Sequence, residues 1–231
     1  MSQHRITCNC EGCHFRMVVF DSLNESEINS VCEVKKEQSY KRGDIIIEEG
    51  TEIREFIYLK SGLVKIYRKS PSGKEQILNI ATPMEFVSLL SVFSETQYKF
   101  SICALDDTTV CMIDLETVRK LILSNGAFGL GIMEKMSKNA DKIILQNLSL
   151  NMKQLRGRIA YILLLFANDI YKSDSFDLPV SRKEIAQLID MTTENVIRIL
   201  SEFRKDGLIR INGKNIEIVN KKMIEQISEH G

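Results

Sequence analysis

Glu194, Ile197 and Arg198 stand at positions i, i+3 and i+4 of a segment whose other members include Val196, Ile199, Leu200 and Phe203. If that segment is a helix, the four apolar residues share one face, and Thr193, Glu194, Ile197, Arg198 and Ser201 share the other. The outer face has the chemistry to meet base edges. A guanidinium donates two hydrogen bonds to the O6 and N7 of guanine, a carboxylate accepts from the N4 amino group of cytosine, and an aliphatic side chain lies against a thymine methyl group. Glu194 and Arg198 at i, i+4 would equally form an exposed ion pair worth roughly a few tenths of a kcal/mol. The surrounding elements must decide between these two uses.

They are distinctive. Ser181-Arg-Lys-Glu184 is a capping box, in which hydroxyl and carboxylate satisfy the N–H groups left free where a helix begins. The helix it opens carries Ile185, Ala186, Leu188 and Ile189 and reaches Asp190-Met191. Thr192 is a second N-cap, opening a helix from Thr193 to about Lys205 that Asp206-Gly207 closes. Two short helices joined by about three residues form a helix-turn-helix. Residues 208–211 and 214–219 alternate around Asn212-Gly213, a strong hairpin signal, and make a wing. Arg182, Lys183, Thr192, Ser201, Arg204, Arg210 and Lys214 then become candidates for phosphate contacts, which supply affinity without sequence information.

Upstream, residues 41–114 are short runs rich in Val, Ile, Phe and Tyr broken by turn residues, which predicts about eight strands in an antiparallel sandwich or roll. From Leu115 the period changes to three, four or seven, and a helix from Gly126 to Leu150 would be about 35 Å long. Its stripe of Phe128, Ile132, Met136 and Ile143 needs a partner, and the same helix of a second copy is expected to supply it. Residues 172–179 are polar with a proline and read as a loop. The expected architecture is α+β: a cysteine-containing tail at 1–20, a β-roll effector domain at 21–114, a linker and dimerisation helix at 115–150, and a winged helix-turn-helix at 151–231.

Composition constrains less. Formal net charge is zero, and from Asn151 onward 13 Lys and Arg face 11 Asp and Glu, a surplus too small to announce a nucleic-acid partner. No stretch approaches the roughly 18 consecutive apolar residues of a membrane helix, and residues 1–10 carry no apolar export signal, so the expectation is a cytoplasmic protein with no membrane partner. Six cysteines are too few for a disulfide scaffold. The three histidines, His4, His14 and His230, lie near the ends, and no glycine-rich phosphate loop or nucleophile motif is present, which argues against an enzyme.

Taken together, the segment from Ser181 to Leu200, then Phe203-Arg-Lys-Asp-Gly-Leu-Ile209 and Asn212-Gly-Lys-Asn-Ile216, resembles the Crp/Fnr superfamily of bacterial transcription regulators. Lys41-Arg-Gly-Asp-Ile-Ile-Ile-Glu-Glu-Gly50 and Tyr58-Leu-Lys-Ser-Gly-Leu-Val-Lys-Ile-Tyr67 are similar to that family's cyclic-nucleotide-binding-like β-roll. The resemblance implies a homodimer on palindromic double-stranded DNA, with Glu194 and Arg198 reading a TGA-containing half-site and RNA polymerase as a further partner. The family's cyclic-nucleotide receptors carry an Arg where Thr193 stands, which points to an Fnr-type half-site. They also hold the cyclic phosphate with Gly-Glu-Leu and a downstream Arg; here Phe86-Val-Ser-Leu-Leu90 and Tyr98-Lys-Phe-Ser101 replace them. Cyclic AMP is therefore not expected as ligand, with Lys99 the substitute phosphate contact if it is. A regulatory module of the cyclic-nucleotide type, controlling another protein, is the competing reading; the complete helix-turn-helix argues against it.

The effector is unknown. Cys111 aligns with the β-roll cysteine of Fnr-like iron–sulfur sensors, and with Cys8, Cys10 and Cys13 it would complete four ligands for a [4Fe-4S] cluster. Cys10-Glu-Gly-Cys13 matches the first pair of that pattern, Val18 falls near the third position, and the Cys8-Asn-Cys10 pair has no counterpart in it. Zinc with His4 or His14, a thiol switch and a plain tail without metal are the alternatives. Cys32 and Cys103, in apolar surroundings, are expected in the core.

Overall fold

The computed structural model describes residues 21–88 and 91–231. They fall into two compact units: the chain up to Arg68 with 78–142, and 69–77 with 143–231. No helix among the described residues is long and apolar enough to cross a membrane.

The first unit opens with α1 (Glu25–Val34), started by a capping box in which Asn24 Oδ1 accepts from Glu27 N at 3.0 Å and Glu27 Oε2 accepts from Asn24 N at 2.9 Å. Seven strands follow among the described residues: β1 (Lys36–Tyr40), β2 (Ile45–Ile47), β3 (Glu55–Ser61), β4 (Val64–Lys69), β5 (Glu75–Ala81), β6 (Ser101–Ala104) and β7 (Thr108–Asp114). They form two sheets, β1-β7-β3 and β2-β6-β4-β5. The roll thus begins at Lys36, before the expected Lys41. Lys-Glu-Gln-Ser-Tyr has no branched apolar residue to mark it as a strand; its antiparallel ladder with β7, from Lys36 opposite Met112 to Tyr40 opposite Thr108, makes it one.

Between the sheets lie Phe56, Leu59, Val64, Ile102, Val110 and Ile113, all nearly or fully removed from solvent. The Phe86 ring packs on Phe56 with centroids 4.6 Å apart and edge-on to Tyr58 at 5.3 Å. At the β3–β4 turn Gly62 has φ +88°, and a Cβ there would come within 2.5 Å of Thr108 Oγ1 and 2.7 Å of the Asp107 carbonyl. Only glycine fits that approach.

Two helices complete the unit, and here an expectation is overturned. α2 (Leu115–Ser124) buries Leu115, Val118 and Leu121 in the same core. α3 (Gly126–Met152) lays Phe128 and Ile132, 0% and 1% exposed, into it, with Met136 packed behind them. Ile143 is buried as well, on the part of α3 that belongs to the second unit. The stripe assigned to dimerisation therefore packs on its own chain, because an apolar surface tethered a few residues away needs no association entropy to find. Nor is 115–150 a separate linker: it belongs to the first unit up to Lys142 and to the second from Ile143. What α3 leaves in water is another stripe, with Leu130, Met133, Ile144 and Leu148 each more than half exposed.

The second unit contains α4 (Leu155–Leu164), which runs into a π-helical turn at Leu165–Ile170, then β8 (Ser175–Asp177), α5 (Arg182–Leu188), α6 (Thr193–Lys205), β9 (Ile209–Asn212), β10 (Asn215–Ile218) and α7 (Lys221–His230). Its sheet order is β8-β10-β9. Residues 172–179 are thus not wholly loop. Phe176, buried and stacked on Tyr171 at 5.5 Å, anchors β8, while Ser175 and Asp177 face out and give the segment its polar look.

Gly62→Ala should destabilise the protein by about 1–3 kcal/mol through the left-handed backbone alone, with the Thr108 contact adding to it. A chemical denaturation midpoint equal to that of the parent would contradict this account of the β3–β4 turn.

Candidate nucleic-acid interface

The helix pair forms as its caps dictate. Ser181 Oγ accepts from Glu184 N at 3.2 Å and Glu184 Oε2 accepts from Ser181 N at 2.9 Å, starting α5. Thr192 Oγ1 accepts from Asn195 N at 3.3 Å, starting α6. Between them Asp190 takes φ +48°, a left-handed conformation that reverses the chain in one step and that Asp tolerates better than most residues. Arg158 on α4 completes this turn: its NH1 donates to the carbonyls of Ile189, at 3.0 Å, and Asp190, at 3.4 Å. Those carbonyls have no partner inside α5, so the guanidinium serves as their cap.

On α6 the two faces separate as the spacing requires. Val196, Ile199, Leu200 and Phe203 are at most 2% exposed, whereas Glu194, Ile197, Arg198 and Ser201 are exposed and Thr193 is half-exposed. The Ser201 hydroxyl donates back to the Ile197 carbonyl at 2.9 Å. The ion pair weighed between Glu194 and Arg198 does not form. Arg198 instead reaches forward, NH1 to Glu202 Oε1 at 2.6 Å and NH2 to Asn195 Oδ1 at 3.4 Å, and Glu194 keeps no partner among the described residues. Glu202 is shared: its Oε2 accepts from Arg156 NH1 at 2.7 Å, while Arg156 NH2 reaches Asp206 at 3.0 Å and its guanidinium lies 5.0 Å from the Phe203 ring centroid.

The cations expected at phosphates differ in availability. Lys183 and Arg204 are exposed, and Lys214 sits in the wing turn, which is Gly213-Lys214 with Gly213 at φ +60° rather than Asn212-Gly213, since Asn212 pairs with Asn215 in the ladder. Arg182, at the first turn of α5, is half-buried, and burial lowers its guanidinium from the usual range. Arg210 lies opposite Glu217 and donates to both carboxylate oxygens at 3.0 and 3.1 Å, so any phosphate must compete for it. Arg156, Arg158 and Glu202 were not anticipated. Arg156 and Arg158 act across distances of 31 to 50 residues in sequence, and no local pattern marks them.

In the first unit, Tyr98 and Lys99, in the segment compared above with the family's phosphate-binding Arg, are both engaged. The Tyr98 hydroxyl donates to the Glu55 carbonyl at 2.9 Å, and burial raises its pKa to about 12, so it stays neutral. Lys99 Nζ lies 3.3 Å from Glu95. Of the four cysteines considered for a cluster, Cys111 alone is described: it is fully buried on β7, its Sγ 3.8 Å from Glu37 Oε1. Cys8, Cys10 and Cys13, with His4, His14 and Val18, lie outside the described residues. No group of three or more His, Cys, Asp or Glu among the described residues is arranged to hold a metal. Cys103 is buried as expected, whereas Cys32 is half-buried.

Residues 37–125 match the cyclic nucleotide-binding domain family and residues 157–227 the Crp-like helix-turn-helix domain. The chain belongs to the Crp/Fnr family. It is therefore a DNA-binding transcription regulator and not an enzyme, as the helix-turn-helix implied. Among its relatives are the transcriptional activator protein Anr of Pseudomonas aeruginosa, 28% identical over 92% of this chain and 89% of that one, and the fumarate and nitrate reduction regulatory protein of Escherichia coli, 25% identical over 96% and 91%. In fold the regulator is similar to a Crp/Fnr-family protein from Eubacterium rectale (TM-score 0.78, 21% identity, 91% and 97% covered) and to FixK2 from Bradyrhizobium japonicum (TM-score 0.76, 22% identity, 84% and 97% covered).

Asp190→Val places a β-branched side chain at positive φ in the middle of the motif and should cost about 1–2 kcal/mol, whereas Asp190→Gly should be tolerated. Thermal unfolding of the two variants checks this; equal melting points would mean that the left-handed turn is not what constrains the position.

Proposed function

We propose that the regulator binds a palindromic DNA site with TGA-like half-sites as a homodimer, each protomer placing the outer face of α6 in a major groove. The observation that carries this reading is that Glu194, Ile197 and Arg198 lie together in solvent on a helix whose opposite face is fully buried. Arg198 is assigned to guanine, Glu194 to the cytosine amino group and Ile197 to a thymine methyl group, with Thr193 at the entry of the helix. Lys183, Arg204 and Lys214 are assigned to phosphates, with Arg182, Thr192, Ser201 and Arg210 as secondary contacts. Such a protein acts in the cytoplasm, where its DNA is, and RNA polymerase is its expected partner there.

The dimer face we assign is the stripe α3 leaves exposed. Leu130, Met133, Ser137, Ala140 and Ile144 recur at intervals of three and four, followed by Leu148, which is the a/d pattern of two helices packed side by side. Small residues at Ser137 and Ala140 let the backbones approach closely at mid-helix. A second copy is the occupant that the heptad period and a two-fold operator both call for.

The signal sensed by the β-roll is proposed to be something other than a cyclic nucleotide: Lys99 is already paired with Glu95 and Tyr98 with a backbone carbonyl, so neither is set to receive a cyclic phosphate. A cluster needs four ligands, and Cys111, buried beside a carboxylate, does not by itself fit that role; no cofactor is assigned.

Arg198→Ala should lose about 1–3 kcal/mol of preference at a single guanine while retaining salt-dependent affinity for unrelated DNA. Titration against duplexes with single changes in the half-site measures it, and intact discrimination at every guanine would remove Arg198 as a reader. Replacing Ile144 and Leu148 together by Glu should turn the dimer into a folded monomer with normal circular dichroism; sedimentation that still reports a dimer would place the interface elsewhere.

A further inference from the structure

We infer that Glu202 is a positioning residue for sequence reading, holding the Arg198 guanidinium in the orientation that meets guanine. This rests on the reading of Arg198 given above. Three observations support it, all within the second unit. Glu202 spends its two carboxylate oxygens on two different arginines, Oε1 on Arg198 NH1 at 2.6 Å and Oε2 on Arg156 NH1 at 2.7 Å. The Arg156 end is itself fixed, by Asp206 at 3.0 Å and by the buried Phe203 ring under its guanidinium. Glu202 is only about a third exposed where Arg198 is 55% exposed, so the carboxylate is the anchored partner and the guanidinium the presented one.

The donor inventory leaves Arg198 able to read. A guanidinium has five N–H donors, two on each terminal nitrogen. Arg198 commits one hydrogen of NH1 to Glu202 and one of NH2 to Asn195. One N–H remains on each terminal nitrogen and the Nε–H is uncommitted, so donors enough for the O6 and N7 of guanine are left. An arginine held on both flanks gives up less rotamer freedom on binding than a free one. The adjacent carboxylate also lowers the gain from an indiscriminate phosphate contact, because it already balances the charge and is repelled by the DNA backbone. Glu202 should therefore contribute to specificity more than to affinity.

The test uses the full chain and titrations at one fixed salt concentration against duplexes with TGA half-sites, with and without the guanine. Glu202→Gln keeps size and shape but turns an amide nitrogen toward one of the two guanidinium groups. It should lower the preference for guanine by about three- to tenfold, the worth of one unfixed side chain, without weakening binding to unrelated duplex. In an Arg198→Ala background the same substitution should change discrimination no further. Should Glu202→Gln fold poorly, Glu202→Asp, too short to reach both arginines, should lie between it and the parent. Parent-like discrimination in the Gln variant, or in the Asp variant if that is the one that folds, overturns the inference. So does equal weakening on matched and unrelated DNA, which is what a purely structural role would give. If Arg198→Ala itself leaves discrimination intact, the assignment of the reader falls and this inference falls with it; if only the Glu202 variants are silent, the reader stands and its positioning by Glu202 does not.

Discussion

The complete burial of one face of α6 is the constraint on which the rest depends. Val196, Ile199, Leu200 and Phe203 have nowhere to go except against the other helices of their unit, and each such side chain contributes roughly 1.5–3 kcal/mol when removed from water. Since a helix has one inward face, fixing it fixes the other. Glu194, Ile197 and Arg198 are in solvent because the neighbours that interleave with them in sequence are not. The two N-caps and the left-handed Asp190 only set where this element starts and how sharply the chain turns into it. The exposed face is what remains of a packing problem solved on the far side of the helix.

The same logic governs α3, with a different outcome. That helix carries two apolar stripes, and the β-roll claims the one containing Phe128, Ile132 and Met136. Intrachain burial comes first because the partner surface is already tethered, so the stripe left over, from Leu130 to Leu148, is the one available to a second chain. A long helix with apolar residues on both sides thus has two characters: one face ties it to the β-roll, and the other stays in solvent.

Part of the positive charge in the second unit is spent on the protein itself. Arg158 caps the carbonyls that end α5, Arg156 is shared between Glu202 and Asp206, and Arg210 faces Glu217 across the wing. Several cations remain open to phosphate, among them Lys183 and Arg204 on the helix pair and Lys214 in the wing turn. An interface with modest excess charge depends more on geometry than on attraction, which suits a protein that must distinguish one operator from the surrounding DNA.

Period, caps and glycines were enough to read the roll, the long helix, the two short helices and the wing from the chain itself, since each follows from local chemistry: a hydroxyl that caps, a Gly that takes positive φ, an apolar repeat of two or of three and four. Local chemistry does not count competing partners, and that is where tertiary structure decided. Arg198 has a glutamate four residues away on either side, and intrinsic helix preference favours the one before it, Glu194; Arg156, 46 residues from Glu202, fixes the one after it instead. α3 offered two apolar stripes, and the open side of the β-roll selected which would be buried. Lys36–Tyr40 became a strand because β7 had a free edge. In each case the sequence named the groups able to interact, and the partner was chosen by packing between segments far apart in the chain, where burial energy outweighs local propensity.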